Sequence, residues 1–441
     1  MDVISSGDVT QCENKKALGR LLSLVPIGVI LPGANVLKSP KRYHESVLPL
    51  RVLLFAAILF AAIPAQSATV LVLRFHNNSQ YSDLNWVGES ISGTLEQEYG
   101  QAGQIALDRD ARANGMQRLS LNPDANFTKA TMIRLGRSLD AEYLVFGTYD
   151  IKLTPGSSAL KDSSIQLTAH FIDLRKLHNG PDISEAGKLA DLSRFKEHLA
   201  WESLKYIDPQ SAPPLDRFMA PRKLTRLEAE ESYTRGLLAT DYDQRQKWLL
   251  LAANLDSGFI APAYELGRLY LDRKDYRQAV RWLLRVPPAD PRYPDARFYL
   301  GLSAYGVADF TSATKYFREV SKIMPLNEVY NNLAAAEDQL NQPAALADFR
   351  RALDGDPNDP VYLFNLGAAL LRSNSFDEAV KRLDAASDSA PSDREIQDLL
   401  ARAQDRVVNP PGGKPLAPAR LKLKLDTVAF RQLKAMLQPK G

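Results

Sequence analysis

The chain predicts two folded regions in series, a small α/β domain with a mixed sheet and then an all-α solenoid of paired helices. Between Ala261 and Asp393 a helix-turn-helix pattern recurs at a step of 34 residues, tightened to 32 or 33 across its third junction. A fixed period of that length marks a stack of small helical units. Ahead of it, between Thr69 and Ile207, segments rich in β-branched residues alternate with segments of helical spacing. The proline-rich stretch Asp208 to Arg222 separates the two regions.

In the solenoid, Gly267, Gly301 and Gly367 each follow an apolar residue of a first helix, and Ala334 holds that place in the unit between the last two. Second helices carry Ala279, Ala313, Ala345 and Ala379, each followed four residues later by Leu283, Phe317, Phe349 or Leu383. Pro291, Pro325, Pro357 and Pro391 close the units, because proline cannot continue a helix. Small residues on both helices let each pair approach closely. No unit buries its apolar face alone, so the units must stack into one continuous core. A fifth, degenerate unit precedes them: Tyr233 and Gly236 hold first-helix positions, but Asp241 to Asp256 lacks the closing proline. Four to five units therefore span 225–407.

This spacing resembles the tetratricopeptide repeat family. The resemblance implies a concave face, lined by the first helix of each unit, that binds a protein or an extended peptide. That face would carry Tyr264, Glu265 and Arg268, then Phe298, Leu302 and Tyr305, then Asn332, and finally Phe364, Asn365 and Arg372. Tyr264, Arg268, Tyr305, Asn332, Asn365 and Arg372 are the candidate partner-binding residues. Asn332 and Asn365 fall at equivalent positions one unit apart, and an amide that donates and accepts at once suits a peptide backbone. The alternative is that both are ordinary polar residues of a helix surface, or ties between neighbouring helices. The aromatic residues at helical spacing read equally well as core. The family's carboxylate clamp, a set of Lys, Asn and Arg across successive units, is not evident, which disfavours a bound chain terminus.

In the first region, Thr69 to Phe75 reads as a buried strand, Trp86 to Tyr99 as a helix and Ile105 to Leu107 as a short strand. Phe127 to Leu139 is a helix with Thr128 or Thr131 near its start. Glu142 to Leu153 is a long strand in which Gly147 marks a bulge or a close backbone approach. Ser164 to Leu174 alternates apolar and polar residues as its antiparallel partner, and Leu192 to Tyr206 is a closing helix. The segments VLVLRFHN, LNWVGESISGTL, DAEYLVFGTY and FIDL resemble the amino-terminal domain of the TolB group and the related FlgO and CsgG-like envelope proteins. That resemblance implies a 69–207 domain in a periplasmic or outer-membrane setting that docks on another envelope component.

Composition bounds the rest. The 441 residues carry a net charge of +3, too little to argue for nucleic acid, and one cysteine, Cys12, which cannot form a disulfide within the chain. Val47 to Ala65 is strongly apolar, with Arg51 as a positive flank and small residues from Pro64 to Ala68. It is short for a spanning helix and reads as an export signal over 47–67, preceded by an unstructured or mis-assigned start at 1–46. Beyond Asn409 to Pro418 a basic amphipathic tail completes 408–441. It is expected to be solvated or to cap the last repeat, or alternatively to touch an anionic partner or a membrane surface.

No constellation of catalytic residues appears. Gly88, Ser90 and Gly93 miss the nucleophile-elbow spacing, no phosphate loop follows a strand, and the five histidines are scattered. Asp108, Arg109, Asp110 and Arg112 read as a surface charge cluster. Neither cofactor nor metal is implied. The expectation is a non-enzymatic adaptor of the bacterial cell envelope, exported to the periplasm or the outer membrane. Alternatives are a structural component of an outer-membrane assembly, or a hydrolase subunit.

Overall fold

The computed structural model describes residues 67–123, 125–155, 160–210, 212–220, 225–426 and 430. The expected export signal and the start at 1–46 lie outside the described residues, apart from Ser67. Among the described residues no helix is long and apolar enough to cross a membrane.

The first domain is a seven-stranded mixed sheet with helices on both faces. Strands β1 (Thr69–Val72), β2 (His76–Asn77) and β3 (Ile105–Leu107) are followed by β4 (Tyr143–Lys152), β5 (Ser164–Asp173), β6 (His178–Asn179) and β7 (Ile183–Lys188). Their order is β3-β1-β4-β5-β6, with β2 beside β4 and β7 beside β5. β1 runs parallel to β3 and β4, while β4 and β5 form a hairpin in register from Tyr143 opposite Asp173 to Lys152 opposite Ser164.

Alternation along β1 explains the two layers, because successive side chains leave a strand on opposite faces. Val70 and Val72 enter a core with Ile91 and Leu95 of α1 (Trp86–Gln101) and with Leu199 and Leu204 of α4 (Leu192–Ile207). Leu71 and Leu73 enter another with Met116 of α2 (Arg109–Arg118) and Leu135 of α3 (Lys129–Ser138). Gly147 is a site of close approach, as expected: a Cβ there would stand 2.3 Å from both the Phe75 ring and the Thr168 carbonyl oxygen.

The stretch after α4 carries one short regular element. It forms the helical turn α5 (Leu215–Phe218), and Phe218 is buried in the core of the first domain. Proline is tolerated there because Pro214 precedes the turn, where no helical N–H is needed.

Among the described residues the all-α region contains five antiparallel pairs and a further helix. The pairs are α6 (Leu227–Leu238) with α7 (Tyr242–Leu255), α8 (Ala261–Asp272) with α9 (Tyr276–Leu283), and α10 (Tyr293–Gly306) with α11 (Phe310–Ile323). Then come α12 (Asn327–Gln339) with α13 (Ala344–Gly355), α14 (Pro360–Arg372) with α15 (Phe376–Ser389), and α16 (Arg394–Gln404). A Cβ on Gly267, Gly301 or Gly367 would stand 2.4 Å, 2.5 Å or 2.5 Å from Leu283, Phe317 or Leu383 of the paired helix. Each glycine therefore seats the large residue read from the repeat.

The first domain and the first helical pair pack on each other through α1, α4 and α6. Lys196 of α4 pairs with Glu230 of α6, and Ser90 of α1 hydrogen-bonds to both; all three are buried. Burial alone would raise the Glu230 carboxyl, but Lys196 and the hydroxyls of Ser90 and Ser193 outweigh it and hold the group below its ordinary range.

Candidate peptide-binding groove

The concave face of the last repeats holds an extended segment of the chain itself. After α16 the chain reverses through Gly412, whose φ of +72° suits glycine, and the Arg402 guanidinium donates to the Lys414 carbonyl at 2.9 Å. Residues 416–425 then run back along the solenoid toward earlier repeats. Ala419 is buried against the last two units, and Leu421 and Leu425 pack further back, beside the core that contains Phe298 and Leu333. The tail is neither solvated nor a helical cap at this point. It is a strand-like ligand of its own solenoid.

Asparagines hold it by its backbone. Asn365 of α14 accepts from the Arg420 N–H at 2.8 Å and donates to the Arg420 carbonyl at 2.8 Å. Asn332 of α12 treats Lys422 identically, accepting from its N–H at 2.8 Å and donating to its carbonyl at 2.7 Å. In an extended chain the N–H and C=O of one residue point to the same side, and residue i+2 repeats that orientation, so two amides one repeat apart can close both. Asn331 was not anticipated from the sequence. It donates to the Arg420 carbonyl at 2.9 Å and accepts from Asn365 at 2.7 Å, joining the two asparagines into one buried row. Its neighbour Asn332 was the only pointer to it.

Side chains of the segment are also matched. Arg420 bonds Asp393 at 2.6 Å and Glu395 at 2.6 Å and lies over the Phe364 ring at 3.8 Å. Lys422 bonds Asp359 at 2.6 Å and lies 4.7 Å from the Tyr362 ring centroid. Asp359 and Asp393 are the N-caps of α14 and α16, so each carboxylate serves a helix terminus and a basic side chain together. The Arg420 hydrogen bonds hold the Asp393 carboxyl below its ordinary range.

The other candidates of the concave face make contacts of their own. Arg372 bonds Asp338 at 2.7 Å, and Tyr305 meets the Phe310 ring edge-on while burial pushes its phenol up to about 12. The Tyr264 ring lies tilted against that of Tyr299 at 6.2 Å, and Arg268 reaches Glu265 and, at 3.5 Å, Asp110 of the first domain. Arg268 borders a separate cleft of about 1660 Å³ between the first domain and the early repeats. Its guanidiniums are matched by carboxylates, Arg245 by Glu265 and Arg292 by Asp290.

The charge cluster after β3 requires a correction. Arg112 is not at the surface: its guanidinium is buried, donates to the Val72 carbonyl at 2.8 Å and pairs with Glu89 and Glu96 of α1. The sequence around it forms α2, whose inward face was not read because its only large apolar residue is Met116. Burial pushes the Glu96 carboxyl up to about 8, with Glu89 and Asp108 adding to the effect against Arg112 and Arg109. Ser90 and Lys196 are adjacent at 2.9 Å, and both bond the buried Glu230 carboxylate. Among the described residues no cluster of three or more His, Cys, Asp or Glu is arranged to hold a metal.

Two tetratricopeptide repeat family models match residues 264–323 and 339–403. Those two spans are tetratricopeptide repeats. Among solved structures, YrrB, described as a tetratricopeptide repeat protein with an unusual peptide-binding site, aligns over 47% of this chain and 98% of its own at 15% identity and a TM-score of 0.36. MamA from Desulfovibrio magneticus RS-1 aligns over 41% and 99% at 20% identity and a TM-score of 0.35. The LpoB C-terminal domain from Salmonella enterica aligns over 31% and 93% at 15% identity and a TM-score of 0.22. No curated protein sequence matches the chain significantly. The likeness expected between the first domain and the TolB group finds no support in these matches.

Proposed function

We propose that the protein is a non-enzymatic adaptor whose repeat groove binds an extended segment of a partner protein by its backbone. The observation that carries this reading is the pairing of Asn365 and Asn332 with both backbone groups of Arg420 and Lys422. Such contacts are available to almost any extended sequence, which is what a docking groove requires. The apolar run Val47 to Ala65 supports an exported, envelope setting. Edman sequencing of the native protein should begin just after Ala65 or Ser67; peptides from residues ahead of Val47 would overturn export by that segment.

The groove is tested in the full chain carrying Arg420→Glu and Lys422→Glu, whose tail is repelled by Asp393, Glu395 and Asp359. That chain should bind a synthetic decapeptide with the sequence of residues 416–425, measured by fluorescence anisotropy. Adding Asn332→Ala and Asn365→Ala removes four hydrogen bonds, each with a net worth of about 0.5–1.5 kcal/mol, so affinity should fall at least ~tenfold. Unchanged affinity would overturn the reading.

A further inference from the structure

The tail occupies two subsites that share an Asn and an Asp at equivalent repeat positions. Asn332 and Asn365 hold equivalent positions in successive repeats, and so do Asp359 and Asp393, which are 34 residues apart. Each subsite joins the Asn of one repeat to the capping Asp of the next: Asn332 with Asp359 around Lys422, Asn365 with Asp393 around Arg420. Each also supplies an aromatic ring from α14 beneath the cation, Tyr362 or Phe364. The pattern stops where the residues stop. One repeat earlier, Tyr299 stands at the Asn position and Leu326 at the Asp position, and Lys424, the next alternate residue of the tail, is exposed.

From this repetition we propose that the groove selects extended segments with basic side chains two residues apart, and that residues 416–425 compete in cis with such a segment of another protein. The proposal rests on the peptide-binding reading above and adds the chemistry of the partner. Each subsite offers a carboxylate and an aromatic face at a fixed distance from the backbone clamp, which suits Arg or Lys and repels Asp or Glu. The segment Arg420-Leu421-Lys422 meets that demand, and its tether gives it an effective concentration that a free partner must exceed. The Pro410 to Gly413 turn allows it to leave without unfolding a repeat, since no helix of the solenoid includes it.

Three full-length proteins and three synthetic decapeptides test the proposal by anisotropy. The peptides are the 416–425 sequence, its variant with Gln in place of the one Arg and two Lys, and its variant with Glu in those places. The proteins are the wild type, the Arg420→Glu, Lys422→Glu chain, and that chain with Asp359→Asn and Asp393→Asn added. The released chain should bind the basic peptide at least ~tenfold more tightly than the wild type does, and at least ~tenfold more tightly than it binds the Gln peptide. Raising the salt from 0.05 to 0.5 M should erase most of that preference, and so should the two Asp substitutions.

Equal binding of the basic and Gln peptides would overturn the charge subsites while leaving the backbone clamp standing. Equal binding by the wild type and the released chain would overturn competition by the tail. A released chain that keeps its melting transition yet binds no peptide overturns the groove reading as well. If the released chain loses that transition, Asp359→Asn in the otherwise wild-type protein decides: trypsin should then cut at Lys422 several times faster, and unchanged protection would overturn the Lys subsite.

Discussion

At the scale of single residues, the least expected feature is Glu96. Two carboxylates, Glu89 and Glu96, face one buried guanidinium, and burial raises the Glu96 carboxyl from 4.5 to about 8. Between those values the folded protein keeps a proton that the unfolded chain has lost. The resulting stabilisation is complete below about pH 4.5 and is lost as pH rises toward about 8, with a slope of at most ~1.4 kcal/mol per pH unit. Urea unfolding at intervals from pH 5 to 8.5 should show this decline, and Glu96→Gln should flatten it while retaining an acceptor for Arg112. A variant with the same pH slope as the wild type would place the titration on another group.

At the scale of the elements, the helix pairs depend on a glycine beneath a large side chain. Gly301 meets Phe317, which is fully buried, and nothing larger than hydrogen fits between them. Gly301→Leu should destabilise the solenoid by ~3 kcal/mol or more, because overpacking at a close helix crossing forces both helices apart. Thermal unfolding followed by circular dichroism would show this, and a change under ~1 kcal/mol would mean that the pair tolerates wider spacing. The same repeat logic places Asp359 and Asp393 at helix starts, so tail recognition uses residues that each helix already needs as a cap.

At the scale of the molecule, the Ser90, Lys196 and Glu230 cluster ties the α/β domain to the first repeat. Glu230→Ala leaves the Lys196 ammonium buried and unpaired, which costs ~3–5 kcal/mol. Replacing both partners by Met should cost far less, since no uncompensated charge then remains. Denaturant melts of the single and double variants check this: equal losses would show that packing, not charge, joins the two regions. Such a joint fixes the early repeats relative to the α/β domain.

The repeat region was largely legible because its determinants are local and periodic. Gly267, Gly301 and Gly367, the paired alanines and the closing prolines state the helices, their pairing and their stacking within about 34 residues of chain. The long hairpin of the first domain was legible for the same reason, since alternation along Ser164 to Leu174 shows which face is buried. The sequence also placed Asn332 and Asn365 at matching positions on first helices. It did not show what they hold, because their partners lie 90 and 55 residues away across a turn with no periodicity. The tail's basic alternation reads the same whether it meets water, lipid or carboxylates. Arg112 looked like surface charge for a related reason: its partners lie on another helix and on β1, and burial is set by what packs over a residue. Local pattern determined the elements of this protein; only the tertiary structure, by bringing distant charges and backbone groups into one desolvated groove, decided which polar residues bind.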